Sequence, residues 1–358
     1  MIKDISIKNF MVHSDLHLND IPDINIIIGK NDTGKTGILK LLYATAKSLE
    51  VYSLKRRNGE VSFRKELAEK LQDTFMPRKN GLGDLVQKGS NDKLEVEIQV
   101  QIQNPRYDQP INFSFGERTE SSITHGIENG VKPLPDDSMN VLFIPAKEVL
   151  TAFNDIRSMR ESFFGKGFDD TYLDLIKALN IQTSRGRVPT ELSSVNKTLE
   201  DLFEGKIEQT GQPEQPFIFK KGNQQFAMQQ TAEGIKKIGI LTTLINNRQI
   251  KKGTILFMDE PETALHPNAV RELVEMLVKM SKAGIQIFIA SHSYFVIKQM
   301  AICAKRESVH INCWSLDKEI GKSVQANFHD LIDGILPDNS IINESLLMYN
   351  DDLKANLA

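Results

Sequence analysis

Cysteine is almost missing from this chain: Cys303 and Cys313 are the only two in 358 residues. Two thiols cannot build a disulfide framework or complete a zinc site alone, so both read as reduced side chains, buried or half-buried. No stretch approaches the roughly 18 consecutive apolar residues that cross a bilayer. The opening, Met1 to Ile7, alternates like a strand and has no apolar run of the signal-peptide kind. A cytoplasmic protein without membrane contact is therefore expected. An excess of charge of one sign is also lacking, since 44 Lys and Arg face 47 Asp and Glu for a net charge of -3. That balance argues against a wholly basic nucleic-acid binder and leaves room for a local basic patch. There is no internal repeat, no low-complexity tract and no heptad run long enough for a coiled coil.

What is present alternates between strand and helix. Residues 1–30 read as strand, turn, strand: Ile5, Ile7 and Phe10 mark the first, and Ile24 to Ile28 form an apolar run ending at Gly29. A short apolar run closed by glycine suits a strand buried on both faces. A helix is expected from Lys35, with Ile38, Leu39, Leu41, Leu42 and Ala46 inside. Residues 53–80 are charged and mixed, with Lys55-Arg56-Arg57 at their start, and predict a surface helix and loop. Leu94, Val96, Ile98, Val100 and Ile102 alternate strictly, and 111–115 alternates again after a turn at 104–110, as a hairpin would. Val141 to Ile144 is a further buried strand stopped by Pro145. From 151 to about 205 the pattern is helical, with breaks at Gly165–Gly167 and Arg185–Arg187. A helix from about Thr231, a strand over Ile255–Met258, a helix over Pro267–Lys282 and a strand over Ile285–Ala290 complete the series. The expectation is an α/β fold with an antiparallel β arm and an inserted helical lobe. It divides as 1–150, an insertion at 151–225, and 226–358.

The octet Gly29-Lys30-Asn31-Asp32-Thr33-Gly34-Lys35-Thr36 fits G-x-x-x-x-G-K-[ST], after a strand and before a helix. Glycines let such a loop wrap phosphates, and its N–H groups with the helix N-terminus make an anion cradle. Lys35 is expected on the β- and γ-phosphates and the Thr36 hydroxyl on Mg²⁺, which makes ATP and Mg²⁺ the expected ligands. The alternative, a chance match in a loop, fits poorly with the flanking strand and helix. Thr254 to Met258 leads into Asp259-Glu260. Carboxylates ending a buried strand are costly unless they meet a cation or polar ligand. Asp259 is therefore the expected metal residue, and Glu260 the group that positions and deprotonates the attacking water. Solvated acids at an exposed strand end are the bland alternative. His292, in Ser291-His292-Ser293 just past the next strand, is expected to contact the γ-phosphate, although a lone histidine is more often structural. Ala232-Glu233-Gly234 opens a helix where a glycine frees N–H groups for an anion.

Taken together, these residues resemble the ABC-type ATPases of the RecF/SMC/OLD group, over 1–50, 141–150 and 225–300. Ile5 to Phe10 followed by Ile26 to Asn31 looks like that group's first strands and P-loop. Asp259-Glu260-Pro261-Glu262-Thr263-Ala264-Leu265-His266-Pro267 is similar to its Walker B and D-loop, Ser291 to Ser293 to its H-loop, and Ala232-Glu233-Gly234 lies where its signature motif lies. Alanine stands where many members have serine, and Thr231 is the candidate substitute for that hydroxyl. The resemblance implies two ATPs sandwiched between two heads, in a homodimer or higher even oligomer. Gly234, and Lys236 or Lys237, would then act in trans. The Q-loop would follow Val141–Ile144; Pro145-Ala146-Lys147-Glu148 lacks glutamine, so Glu148 or Lys147 is the candidate metal or water contact. No TOPRIM nuclease, HNH or zinc-finger pattern is expected, and Asp330, Asp333 and Asp338 read as solvated loop acids.

Two functions follow from the resemblance. One is an ATP-gated dimer that senses or acts on DNA or RNA and controls a separate nuclease or toxin, as stand-alone members of the group do in anti-phage defence. The basic 55–79 stretch is its candidate surface, with a solvated face as the alternative. The other is a regulatory scaffold for such an effector, with little nucleic-acid contact of its own. A transporter subunit is disfavoured because no LSGGQ-like run occurs.

Overall fold

The fold is known from a computed structural model, which describes residues 1–358 apart from 57–58, 60, 79–80, 124–129, 162–166, 183–187, 319–322 and 358. Strands β1 (Ile2–Phe10), β2 (His13–Leu18) and β3 (Ile24–Gly29) lead into helices α1 (Lys35–Arg56) and α2 (Phe63–Phe75). The hairpin β4 (Leu94–Val100) and β5 (Gln109–Phe115) precedes β6 (Asn140–Ile144). The insertion carries α3 (Phe153–Glu161), α4 (Asp170–Asn180), α5 (Thr190–Leu202), β7 (Lys206–Gln209), β8 (Phe217–Lys221) and β9 (Gln224–Ala227). Then come α6 (Glu233–Asn246), β10 (Thr254–Asp259), α7 (Pro267–Lys282), β11 (Gln286–Ser291), α8 (Tyr294–Glu307), β12 (Ile311–Asp317), β13 (Gln325–Asp330) and α9 (Ser340–Leu357).

The central sheet has the order β13-β12-β3-β11-β10-β6, parallel except for β13 at its edge. Its strands are continuous apolar runs because both faces are covered. Ile27, Phe143, Phe257, Phe288 and Trp314 turn toward α1 and the antiparallel sheet β2-β1-β4-β5. The alternate residues Ile26, Ile28, Leu142, Met258, Ile287 and Ile289 turn toward helices α3 to α8. Under α1 the rings form a ladder across the sheet, with centroids 5.3 Å apart for Tyr43–Phe143, 5.1 Å for Phe257–Phe288 and 6.2 Å for Phe288–Trp314. Helix α1 is buried nearly all round, so its hydroxyls cannot reach water. Thr45, Ser48 and Ser53 donate instead to carbonyls one turn back, at 2.9, 2.6 and 2.6 Å.

The strand-helix alternation and the β4–β5 hairpin match the sequence expectation, and three regions differ from it. Residues 53–80 are not simply a surface helix: α1 runs on to Arg56, and α2 buries Phe63, Leu67 and Leu71. The insertion is not wholly helical. Residues 206–227 form a three-stranded antiparallel sheet β7-β8-β9 whose runs, four or five residues long, are too brief for a period to show. The helical breaks predicted at 165–167 and 185–187 fall largely outside the described residues. Finally, the tail supplies β12, which pairs with β3 and carries the buried Trp314. No helix among the described residues is long and apolar enough to cross a membrane.

The ring ladder concentrates stabilisation at Phe257, which meets Tyr43, Phe143 and Phe288. Phe257→Ala should lower the unfolding free energy by about 3–5 kcal/mol, the usual cost of deleting a buried ring. Chemical denaturation followed by tryptophan fluorescence at Trp314 would measure it.

Candidate functional site

Strands β3, β11 and β10 are neighbours and parallel, so their carboxyl ends lie side by side. The register pairs Ile28 with Ser291 and Asp259 with Ala290. Three loops therefore leave the sheet at one edge: the P-loop after Gly29, the turn at Glu260, and the turn at His292. Crevices beyond the carboxyl ends of such strands are where open α/β sheets bind ligands.

The P-loop geometry depends on two glycines. Gly29, at φ 152°, passes Leu316 so closely that a Cβ would lie 2.4 Å from its carbonyl oxygen. Gly34, at φ 81°, has His13 Nε2 where a Cβ would need to be, 2.5 Å away. Thr33 Oγ1 donates to the Lys30 carbonyl at 2.9 Å. Asp32 sits in the left-handed region at φ 65° and pairs with Lys318 at 2.7 Å, which holds its carboxyl below the usual range. Lys30 and Asn31 are exposed at the rim. The Lys35 ammonium is buried and donates to Gly29 O at 2.8 Å and Lys30 O at 2.9 Å. Burial lowers its pKa, against the pull of Glu260, Asp259 and Glu262.

Thr36 and Asp259, 223 residues apart, meet directly: Thr36 Oγ1 lies 3.0 and 3.1 Å from the two carboxylate oxygens. Burial raises the Asp259 pKa, opposed by the Thr36 hydrogen bond. Glu260 takes a left-handed φ of 45°, and its N–H donates to Ala290 O at 2.9 Å. Its Oε1 is 3.1 Å from His292 Nδ1, with both groups part-exposed to solvent. Lys35, Thr36, Asp259, Glu260 and His292 thus share one site.

Hard oxygen donors at Thr36 and Asp259 suit Mg²⁺. No cluster of three His, Cys, Asp or Glu side chains able to hold a metal occurs among the described residues. Remaining ligands would have to come from phosphate and water, which is how Mg²⁺ is usually bound.

Other expected residues stand elsewhere or face another way. Glu148 accepts from Thr151 N at 2.7 Å and lies 3.8 Å from Lys236. Lys236 is buried and donates to Thr151 Oγ1 at 2.7 Å and Glu233 at 2.8 Å. Lys237, also buried, donates to the Glu260 carbonyl at 3.0 Å, and burial lowers its pKa against the pull of Glu262, Glu260 and Asp259. Both ammonium groups are engaged within their own chain instead of being presented outward. Thr231 is no substitute for the missing serine, because its hydroxyl is committed to Ala227 O at 2.9 Å. Gly234 is packed on the D-loop, with Ala264 O 3.0 Å from where its Cβ would stand. Helix α6 starts one residue earlier behind Ala232, which offers no side-chain cap, so its first N–H groups are not capped by a side chain. In the tail, Asp330 caps a turn by accepting from Ile332 N and pairs with His310.

Several contacts here join residues that no sequence motif links. Glu262 is buried and accepts from Ser291 Oγ at 2.6 Å, tying the D-loop to the His292 turn. Lys318 reaches back to Asp32. Lys40, one helical turn past Thr36, pairs with Asp169 of the insertion at 2.6 Å.

Comparisons with known proteins bear on the family and the fold. Residues 24–298 match a family model described as "AAA domain, putative AbiEii toxin, Type IV TA system". Over 48 residues the chain is 44% identical to the Old nuclease of Escherichia phage P2, a match that takes in 13% of this chain and 8% of that protein. An Smc head bound to the C-terminal winged-helix domain of ScpA superposes with a TM-score of 0.57 at 13% identity, covering 92% of this chain and 98% of that one. A second Smc head, with an extended coiled coil and bound to the C-terminal domain of ScpA from Pyrococcus furiosus, gives 0.50 at 12% identity over 99% of both chains. At these identities the two structures speak for the fold.

His13, behind Gly34, gives the site a pH signature. It is buried against the Gly34 backbone, whose hydrogen bond opposes the effect of burial. Burial pulls its pKa from 6.5 down to about 4. The unfolded chain therefore takes up the proton first. The stability that neutral His13 confers is fully present above about pH 6.5 and is lost as pH falls toward 4, by roughly 3 kcal/mol in all. A His13→Asn variant should show a flatter denaturation midpoint across that window than the wild type.

Proposed function

We propose that this chain, a member of the AAA-domain family that it matches over 24–298 and similar to the ABC-type ATPases of the RecF/SMC/OLD group, binds Mg·ATP and hydrolyses it to ADP and phosphate as a dimer that controls a separate effector. The observation that carries this is the direct Thr36–Asp259 contact beside the Glu260–His292 pair, all at adjacent strand ends.

Residues Gly29, Lys30, Asn31, Asp32, Thr33 and Gly34 wrap the phosphates with backbone N–H groups. Lys35 exchanges its carbonyl partners for β- and γ-phosphate oxygens. Thr36 and Asp259 hold Mg²⁺, which supplies charge neutralisation at the phosphates. Glu260 accepts the proton of the attacking water, and His292 orients Glu260 through Nδ1 and reaches the γ-phosphate. Gly234 and the uncapped start of α6 serve the nucleotide of a second protomer, a donor set worth on the order of 3 kcal/mol in the transition state. Lys236 and Lys237 are assigned to their own protomer, where they brace α6 against Thr151 and Glu260. Segments 1–150 and 226–358 act as two ATPase lobes sharing the central sheet, and 151–225 is the insertion that reads their state. An anti-phage setting, with a nuclease or toxin as effector, is proposed from the group resemblance.

Glu260→Gln should retain ATP, lose hydrolysis by at least about 100-fold, the scale of general-base catalysis, and accumulate as an ATP-dependent dimer. Turnover assays with light scattering would test both. Unchanged turnover and assembly in this variant would sink the proposal.

For the effector, a scaffold role with little nucleic-acid contact is favoured by charge pairing across 55–79. Lys55 bonds Glu66 at 2.8 Å, Lys65 faces Glu69 at 3.8 Å, and Lys70 is buried between Asp170 and Asp174 at 2.6 and 2.8 Å. Arg57 and Lys79 lie outside the described residues. Charge reversal at Lys55 and Arg56 should leave DNA affinity and its salt slope unchanged. A marked loss of affinity with a shallower slope in a titration would restore the nucleic-acid reading.

A further inference from the structure

One helical turn from Thr36 lies a charged pair, Lys40 and Asp169, that the chemistry above does not use. Lys40 stands one turn beyond Thr36 on α1, so the two side chains occupy one helix face. Its Nζ is 2.6 Å from Asp169 Oδ2, and the side chains are only 21% and 12% exposed. Asp169 is the N-cap of α4 in the insertion, accepting from Thr171 N at 2.8 Å. Tyr172 is near enough to both carboxylates that Asp169 and Asp259 add to burial in pushing its phenol up to about 12. Three charges from α1, the insertion and β10 therefore share one poorly solvated neighbourhood.

The α4 end of this arrangement is fixed. Lys70 of α2 is buried between Asp170 and Asp174, and Tyr43 of α1 donates to Asp174 at 2.7 Å. Glu148, expected at the metal from its place after β6, is turned to Thr151 and Lys236 instead.

We infer that Asp169 is a positioning residue for the metal edge of the site: it cancels the Lys40 charge that would otherwise repel a divalent cation at Thr36 and Asp259. This rests on the Mg·ATP reading above. The seating of the insertion then sets metal affinity, because α4 carries Asp169. An ammonium left uncompensated near a dication repels it strongly in a half-buried setting, whereas a neutral Lys40–Asp169 pair does not.

The variants Asp169→Asn, Lys40→Met and their combination separate the charges from the fold. Asparagine caps a helix as well as aspartate does, and methionine keeps the apolar stem of lysine. Binding of a fluorescent ATP analogue, titrated with Mg²⁺, and Mn²⁺ binding by electron paramagnetic resonance are the readouts, with nucleotide affinity in EDTA as reference. Asp169→Asn should raise the half-saturating metal concentration on the order of tenfold, the effect of one partly screened unit charge, without weakening nucleotide binding in EDTA. Lys40→Met should lower it, and the double variant should return close to wild type. Shifts of the same sign in both single variants, or none, would overturn the inference. So would a loss in Asp169→Asn that appears equally in EDTA and in the thermal midpoint, since that is what a purely structural cap would give. If the wild-type protein bound no nucleotide at all, the site assignment itself would fall, and this inference with it.

Discussion

Parallel pairing of β3 with β11 and of β11 with β10 is the constraint on which the site depends. Each strand alone ends in a polar turn of no particular consequence. Placed in register, the three ends bring a phosphate-type loop, an acidic pair and a histidine within hydrogen-bonding distance, from segments more than two hundred residues apart. The register is secured by two buried faces: a slip of one residue would send Phe257 and Phe288 to the wrong side of the sheet and break the ring ladder under α1. Fold stability and site geometry are thus one requirement, since the residues that fill the core also fix where the strands stop.

Charge balance gives the site its character. Asp259, Glu260 and Glu262 gather against the ammonium groups of Lys35 and Lys237, and burial acts against the charged form of Asp259, Lys35 and Lys237 alike. Buried charges of this kind are expensive unless paired. Here the pairing is incomplete: Glu262 Oε2 has no hydrogen-bond partner among the described residues, and Lys35 is satisfied only by loop carbonyls. An anion at the loop and a dication at Thr36 and Asp259 would supply opposite charge to both sets. Such an arrangement gains more from binding than from folding alone.

The parts of this site that were readable in the sequence are those where a local pattern dictates chemistry. A buried strand, a glycine loop and a helix in that order leave little freedom for Lys35 and Thr36, and an apolar strand ending in Asp259-Glu260 can place those carboxylates only at a sheet edge. Side-chain direction is a different matter. Glu148 has the expected position in the chain but not the expected aim, because Lys236 and the Thr151 N–H claim it. The resemblance implies that Lys236 or Lys237 acts in trans from near a helix start. Helix α6 instead packs deep enough that both ammonium groups find oxygens of their own chain. Contacts across large separations, such as Lys40 with Asp169 or Lys318 with Asp32, leave no periodic trace. The sheet β7-β8-β9 escaped because its strands are shorter than one reliable period.

Helix α6 connects these observations. Its first turn has no side-chain cap and carries Gly234 against the D-loop, while one turn later Lys237 reaches the Glu260 carbonyl. From there Glu260 meets His292, and Glu262 meets Ser291. An anion engaging the start of α6 therefore acts on a helix whose next turn is bonded to the turn that carries the acidic pair. On the opposite side, the insertion touches the same region through Asp169 and Lys40. Glu260 is held through Lys237 of α6, and Asp259 through Thr36 of α1, one turn before the Lys40 that pairs with Asp169. On the reading proposed above, nucleotide state would pass outward through α4 and a signal inward through α6, with the sheet that joins them unchanged.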